Sequence, residues 1–136
     1  MEEKLPTCFE PVYRYQMKDG EPIKRKELKS ALWREKGVVY ARVYRNQVVY
    51  VGKTDGTLGG RILRHVNGIS KATAGKAKEY REWAEGKTIT ILAHKPKPVR
   101  RSGLEIHTHR DLEAELIRRL KPPSEDCKQP WFVDRT

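Results

Sequence analysis

A carboxylate in the last third of the chain stands where a helix would place an apolar residue. The leucine spacing predicts a helix over His109–Leu120, and at roughly 100° per residue Glu113 falls within its apolar stripe. Glu115 falls on the outer face, where Arg119 at i+4 can pair with it. Burying a carboxylate costs free energy unless a cationic side chain or a metal ion pairs with it. Glu113 is therefore a candidate metal ligand, with an internal salt bridge to Arg or Lys as the alternative.

A second candidate group lies on the helix predicted for residues 58–66. Arg61 and His65 are four residues apart, so they project together at the edge of the apolar stripe. A guanidinium can grip a phosphate at two points and stabilise the charge that grows in phosphoryl chemistry. A neighbouring imidazole can hold a phosphate or pass a proton to a leaving group. By itself, such a pair is also common on ordinary exposed helices.

Two tyrosines lie on a predicted antiparallel hairpin. Its strands are Val38–Tyr44 and residues 47–51, on either side of Arg45-Asn46. If Arg45 is the centre of the turn, Tyr40 lies directly opposite Tyr50 on the same face of the sheet. Such a pair is usually packing, but a phenol beside a cationic phosphate site can also act as a general base.

Other elements must position these groups. The patterns predict a strand over residues 88–93, helices over residues 22–33 and Gly75–Ala84, and loops over residues 53–56 and 95–101. Thr108 is the predicted N-cap of the last helix. The order of elements predicts an α+β domain with a small antiparallel sheet covered by helices.

The net charge of +11 over 136 residues is concentrated in the middle of the chain. Residues 37–101 hold fourteen Lys/Arg against four Asp/Glu, which is typical of a footprint for a polyanion such as DNA. A solvated basic face without a partner is the alternative. The candidate phosphate contacts are Lys53, Arg64, Lys71, Lys76, Lys78, Lys95, Lys97, Arg100 and Arg101.

The sequence contains no apolar run long enough to cross a bilayer, so no membrane partner is expected. Met1-Glu2-Glu3-Lys4 lacks the pattern of a signal peptide, and Cys8 and Cys127 are few and far apart. A cytoplasmic location with free thiols is expected.

Several of these residues follow one another in a known order. Val39-Tyr40, then Tyr50-Val51-Gly52, then Lys53, Arg61 and His65, and finally Leu-Glu-Ala-Glu-Leu-Ile at 112–117 resemble the motifs of the GIY-YIG nucleases. The resemblance extends from residue 37 to about residue 125. It implies a central three-stranded antiparallel sheet flanked by helices, and hydrolysis of phosphodiester bonds in DNA. It also implies a single divalent metal, Mg²⁺ or Mn²⁺ in its place, held by Glu113.

The resemblance also implies a role for each motif residue. Tyr40 and Tyr50 correspond to the two motif tyrosines, with Tyr40 as the candidate general base. Arg61 corresponds to the essential arginine, and His65 and Lys53 to residues that some members carry. The first motif reads Val-Val-Tyr after Gly37, and the second has Val51 in place of isoleucine. Glu125 stands where many members have an asparagine.

The implied domain organisation is an amino-terminal arm with a short helix (1–36), a nuclease domain (37–125) and a tail (126–136). A restriction-type or a phage or mobile-element endonuclease is expected, and a structure-guided repair or recombination nuclease is the alternative. One active site per chain would need a homodimer, or successive nicks, to break both strands.

Two other classes stay open. The first is a non-catalytic DNA-binding module with the same fold. The second is a zinc site through His107 and His109, with His94 or Cys127.

Overall fold

The computed structural model describes residues 5–122 of the chain. The strands are β1 (Glu10–Lys18), β2 (Glu21–Glu27), β3 (Val38–Tyr44), β4 (Gln47–Thr54), β5 (Thr88–His94), β6 (Val99–Arg101) and β7 (Leu104–Ile106). The helices are α1 (Leu58–Gly68), α2 (Gly75–Ala84) and α3 (His109–Leu120), with single 3₁₀ turns at Ala31–Arg34 and Ile69–Lys71.

Five strands form one antiparallel sheet in the order β2-β1-β5-β3-β4. The α+β class is confirmed, but the expected number of three strands is wrong, because β1 pairs with the remaining edge of β5. Val12, Tyr15 and Met17 of β1 are fully buried, so β1 continues the core beyond β5. This pairing joins segments more than seventy residues apart in the chain, which local patterns do not reveal.

The helix expected over residues 22–33 is also wrong. Asp19 and Gly20 both have positive φ (53° and 76°) and close a hairpin, so most of this segment is strand β2 paired with β1. Only Ala31–Arg34 is helical, as one 3₁₀ turn. Pairing with β1 outweighs the helix propensity of the Lys and Arg residues. Leu32 and Trp33 nevertheless pack against the core.

The β3–β4 hairpin closes with a two-residue turn. Arg45 and Asn46 have φ values of 47° and 66°, and Tyr44 pairs with Gln47 across them. Left-handed residues at both central positions match the twist of the flanking strands.

A bulge changes the register further along this hairpin. The irregularity between Arg42 and Val43 places Arg42 opposite Tyr50 and Tyr40 opposite Gly52. The expected pairing of Tyr40 directly with Tyr50 is therefore wrong by two residues. A shift of two residues leaves side chains on the same face, so both tyrosines still share one side of the sheet.

The hairpin is covered on both faces. On one face, Tyr40 packs in a core cluster with Leu58 of α1. On the other, Val39 and Val51 pack in a second cluster with Leu116 of α3. Alternation along β3 and β4 thus divides their side chains between an α1–α2 layer and an α3 layer.

The boundaries of α2 and α3 agree with the predictions, and α1 extends the predicted helix to Gly68. Two predicted loops are partly strand. β4 continues through Thr54, so Lys53 lies in the strand. The segment 95–101 ends in β6, because Ser102 and Gly103 have positive φ (53° and 76°) and close a second hairpin with β7.

Predictions for Glu125, Cys127 and the tail 126–136 fall outside the described residues, and the domain boundary at residue 37 stays a prediction. Cys8 is an exposed free thiol. No helix within residues 5–122 is long and apolar enough to span a bilayer.

Candidate active site

The two motif tyrosines lie side by side over a glycine. The ring centroids of Tyr40 and Tyr50 are 6.0 Å apart, with planes inclined by 32°. A Cβ at Gly52 would come within 2.7 Å of ring atoms of both tyrosines. The backbone of Gly52 does not have a positive φ. This glycine is therefore required for the close approach of two rings, and not for an unusual backbone conformation.

Helix α1 brings Arg61 to this pair. The helix begins after Thr57, whose side chain accepts a backbone N–H of the first turn. Arg61 Nε donates a hydrogen bond to Tyr40 Oη at 3.1 Å. The hydroxyl of Tyr40, and to a lesser extent that of Tyr50, raises the pKa of Arg61, so the guanidinium stays charged. Arg61 is also exposed, so a phosphate from solvent can reach it.

His65, one turn after Arg61, faces the interior. Its Nε2 lies 3.2 Å from Tyr15 Oη, which in turn bonds to Tyr80 Oη. Burial, and then the charges of Arg42 and Arg61, hold the pKa of His65 well below its usual value. A neutral imidazole bonded to Tyr15 is a structural contact between α1 and β1. A catalytic role for His65 stays a prediction.

Arg42 is a buried cation behind Tyr50. Its guanidinium carbon lies 4.0 Å from the centroid of the Tyr50 ring and 4.8 Å from that of Tyr80. Arg42 is 8% exposed, and its Nε has no hydrogen-bond partner in the part of the chain that is described. A cation over an aromatic face is attracted to it, so Arg42 holds the Tyr50 ring in place.

Helix α3 approaches the hairpin from the opposite face. Glu113 is partly buried there, on the side of the helix that carries Leu112 and Leu116. Helix α3 packs on β3 and β4, and β4 is the edge strand of the sheet. Helix α3 and the two tyrosines therefore lie on opposite faces of the β3–β4 hairpin, whose outer strand is β4.

Glu115 has the surface role expected from the helical pattern. Arg119 Nε donates to its carboxylate at 2.7 Å, and Arg118 donates through two nitrogens at 2.5 and 3.1 Å. Arg118, and then Arg119, lower the pKa of Glu115 to about 2. The two carboxylates of α3 therefore differ in their surroundings, because Glu115 pairs with two arginines and Glu113 lies on the side of the helix that carries Leu112 and Leu116.

The oxygen donors present fit a magnesium site with one protein carboxylate. Mg²⁺ keeps several waters and is usually bound through one or two carboxylates, and Glu113 supplies one. No group of three or more His, Cys, Asp or Glu within residues 5–122 could hold a metal. A zinc site built from His94, His107 and His109 is therefore not formed there, and Cys127 lies outside that range.

Lys53, a predicted phosphate contact, forms an ion pair with Asp55 at the end of β4. Its Nζ lies 3.1 Å from Asp55 Oδ2, and the other oxygen of Asp55 lies 2.6 Å from His109 Nε2. The contacts with His109, and then Lys53, lower the pKa of Asp55. This trio joins the end of β4 to the start of α3. It borders an open pocket of about 370 Å³ lined by Lys36, Gly37, Asp55, Lys95, Pro96, His107, Thr108 and His109.

The remaining predicted phosphate contacts form two groups. One lies on the α1–α2 layer and contains Arg64, Lys71, Lys76 and Lys78; the other follows the chain from β5 through β6 and contains Lys95, Lys97, Arg100 and Arg101. Lys78 and Lys95 have carboxylate partners in Glu82 (3.8 Å) and Glu35 (2.9 Å). These side chains are exposed, and their contacts with DNA stay predictions.

Comparison with solved structures identifies a protein of similar fold. A mutant of bacteriophage T4 EndoII has a TM-score of 0.60 and 21% identity, covering 85% of this chain and 89% of that chain. Restriction endonuclease HPY188I in complex with product DNA has a TM-score of 0.47 and 14% identity, covering 95% and 82%. No family model and no curated protein matches the chain. The chain therefore shares the fold of bacteriophage T4 EndoII.

Sequence patterns missed three residues that shape this site. Arg42 lies two residues after Tyr40 in a strand, so the period of two places it on the tyrosine face. Gly52 was part of a motif, but its steric role requires the register. Tyr15 carries no signal of its own, because it meets His65 only through the pairing of β1 with β5.

Proposed function

We propose that this chain is a metal-dependent DNA endonuclease that hydrolyses phosphodiester bonds at the Tyr40–Arg61 site. The observation that carries the proposal is the hydrogen bond from Arg61 Nε to Tyr40 Oη, with Tyr50 beside Tyr40. An exposed, charged guanidinium bonded to a buried phenol can bind a phosphate and move a proton. The GIY-YIG-type fold supports the same assignment.

Arg61 binds the scissile phosphate. Its guanidinium is charged and exposed to solvent, so it can form a fork on the phosphate oxygens. The same charge stabilises the extra negative charge of the transition state. Removing one such contact typically costs about 10²–10³ in rate.

The Tyr40 oxygen accepts a proton from the attacking water as its own hydroxyl proton passes to solvent, and Tyr50 is held next to it by Arg42. The water oxygen forms a bond to phosphorus, and the bond from phosphorus to the 3′ oxygen breaks. The leaving oxygen takes its proton from solvent. The hydrogen bond from Arg61 orients the Tyr40 hydroxyl for this step.

Glu113 would hold the divalent ion, magnesium or manganese, at the edge of β4. When bound, the ion supplies charge stabilisation to the phosphate and the leaving oxygen. Two features support this placement: Glu113 is partly buried, and α3 packs on the edge strand that carries Tyr50.

The two basic groups contact DNA phosphates on either side of the cut, so binding weakens steeply with salt. Fixed ends on the DNA products indicate a restriction-type enzyme, and ends at branched structures indicate repair or recombination. Cleavage of both strands requires a homodimer or two successive nicks, and sedimentation of the protein–DNA complex distinguishes these.

The two carboxylates of α3 provide a matched test. Supercoiled plasmid nicking in magnesium is compared among the parent protein, Glu113→Gln and Glu115→Gln. We expect Glu113→Gln to nick at least about 10²–10³ times more slowly, because it loses the metal ligand. Glu115→Gln weakens only the surface ion pairs with Arg118 and Arg119 and keeps the parent rate.

Normal nicking by Glu113→Gln would contradict the proposal. A parent protein that binds duplex DNA but does not nick it in magnesium or manganese would instead be a non-catalytic DNA-binding module.

A further inference from the structure

The hairpin formed by β6 and β7, here called the ribbon (residues 99–106), exposes apolar side chains to solvent. Four large hydrophobic residues are exposed among the described residues, and three lie on the ribbon: Val99 (40%), Leu104 (66%) and Ile106 (38%). A soluble surface usually scatters such residues singly, whereas a cluster marks a site of interaction.

The two faces of the ribbon differ in chemistry. Val99 pairs with Ile106, and Arg101 pairs with Leu104 at the tip. Directly opposed side chains in a two-stranded ladder share a face, and the face alternates along each strand. One face is therefore apolar with an arginine at its tip, and the other carries the pair Arg100–Glu105.

Hydrogen bonds support the ribbon at its tip and at its base. Arg100 Nη2 donates to the carbonyl of Gly103 in the turn at 3.2 Å. At the base, Thr108 Oγ1 donates to the carbonyl of Lys97 at 3.0 Å, and Pro96 and Pro98 fix the backbone of the connecting arm. A preordered element loses little conformational entropy when it binds.

Charge and position indicate which partner the ribbon meets. Residues 95–106 contain four Lys/Arg and one Glu, which is complementary to a polyanion. The arm to the ribbon leaves β5 at His94, which pairs with Val39, the neighbour of Tyr40. The chain then returns from the ribbon directly into α3, the helix of Glu113. A DNA duplex at the candidate active site is therefore the nearest polyanion.

We propose that the ribbon enters the major groove of duplex DNA and that its Arg101–Leu104 face contacts the edges of the bases. This inference rests on the proposed endonuclease function and identifies its sequence-reading element. A two-stranded β-ribbon fits the major groove, where an arginine can bind guanine and an apolar side chain can contact the thymine methyl group. Contacts of the basic arm with phosphates then set the register of the ribbon on the duplex.

The test measures binding without cleavage. Fluorescence anisotropy gives the affinity of the parent protein, Leu104→Ala and Glu105→Gln for a labelled duplex in EDTA, over a series of salt concentrations. We expect Leu104→Ala to bind about tenfold more weakly or worse, the factor that corresponds to losing one buried leucine side chain. The slope of log affinity against log salt should stay unchanged, because no phosphate contact is lost. Glu105→Gln, on the other face, should bind at least as well as the parent.

The named outcomes separate the two proposals. Equal affinity of Leu104→Ala and the parent would overturn the role of the ribbon and leave the endonuclease proposal intact. A parent protein that neither binds nor nicks DNA would overturn both. If sedimentation velocity finds that Leu104→Ala dissociates a dimer without changing the DNA affinity per chain, the apolar face pairs two copies of the chain and the groove assignment is wrong.

Discussion

The β3–β4 hairpin and the ribbon are built from the same local structure and end in opposite environments. Each closes through two residues of positive φ, Arg45-Asn46 in the first and Ser102-Gly103 in the second. The first hairpin is covered by α1 on one face and by α3 on the other. The ribbon is exposed along both of its strands. The same turn geometry therefore frames the candidate active site in one place and leaves an accessible surface in the other.

The difference between them lies in the layers around each ladder. In the β3–β4 hairpin, side chains alternate between two covered faces. One face carries the two tyrosines, and α3 packs on the other. In the ribbon, the same alternation separates an apolar face from a charged one, and neither is covered by a helix. A buried ladder is close-packed, which holds its side chains in place. An exposed ladder leaves its side chains available to a partner.

The largest expected contrast comes from truncating one apolar side chain in each hairpin. Val51 is 1% exposed and packs under α3, whereas Leu104 is 66% exposed. We expect Val51→Ala to lower the free energy of unfolding by about 1.5–3 kcal/mol, the value of a buried aliphatic side chain. Leu104→Ala should stay within about 0.5 kcal/mol of the parent. Urea denaturation measures both, and an equally large loss for Leu104→Ala would mean that the ribbon is packed in solution.

A second contrast concerns glycine. Gly103 is needed for its positive φ, whereas Gly52 is needed because two tyrosine rings lie over it. We expect Gly52→Ala to destabilise the protein by about 1–3 kcal/mol, as in other overpacked cores, and to reduce nicking because Tyr40 and Tyr50 must move.

The matched control is Gly68→Ala, at the end of α1. A Cβ there meets nothing within 4 Å, so this variant should keep the parent nicking rate and gain up to about 1 kcal/mol of stability. A Gly52→Ala protein with normal activity would show that the tyrosine pair can shift without consequence.

The smallest expected effect is a dependence of the free energy of unfolding on pH, which arises from His65. The pKa of His65 is lowered in the folded protein, so the unfolded chain takes up a proton below about pH 6.5 that the folded protein does not. The free energy of unfolding should therefore fall as the pH drops below 6.5, by at most about 1.4 kcal/mol per pH unit. Denaturation between pH 7 and pH 5 measures the slope.

Variants at two histidines test whether His65 causes this dependence on pH. His65→Gln should flatten it, whereas His107→Gln, directly after the ribbon and 67% exposed in its side chain, should leave it unchanged. An unchanged slope in His65→Gln would mean that His65 is not the group responsible.

The sequence by itself determined the elements that depend on neighbours along the chain. The helices α2 and α3, strand β3 and the turn at Arg45-Asn46 follow from local periodicity and turn chemistry, and the structure has them where the patterns place them. The helical wheel also separated Glu113 from Glu115, because position on a helix face is fixed by spacing alone. The order and spacing of the motifs indicated the GIY-YIG type.

Tertiary structure decided everything that requires contact between distant segments. The pairing of β1 with β5 adds both β1 and β2 to the three expected strands. It also places Tyr15 against His65, so this histidine faces inward. The bulge beside Arg42 set the register that packs both tyrosines over Gly52. These outcomes depend on which surfaces are buried together, and burial is a property of the assembled layers that no local stretch of sequence contains.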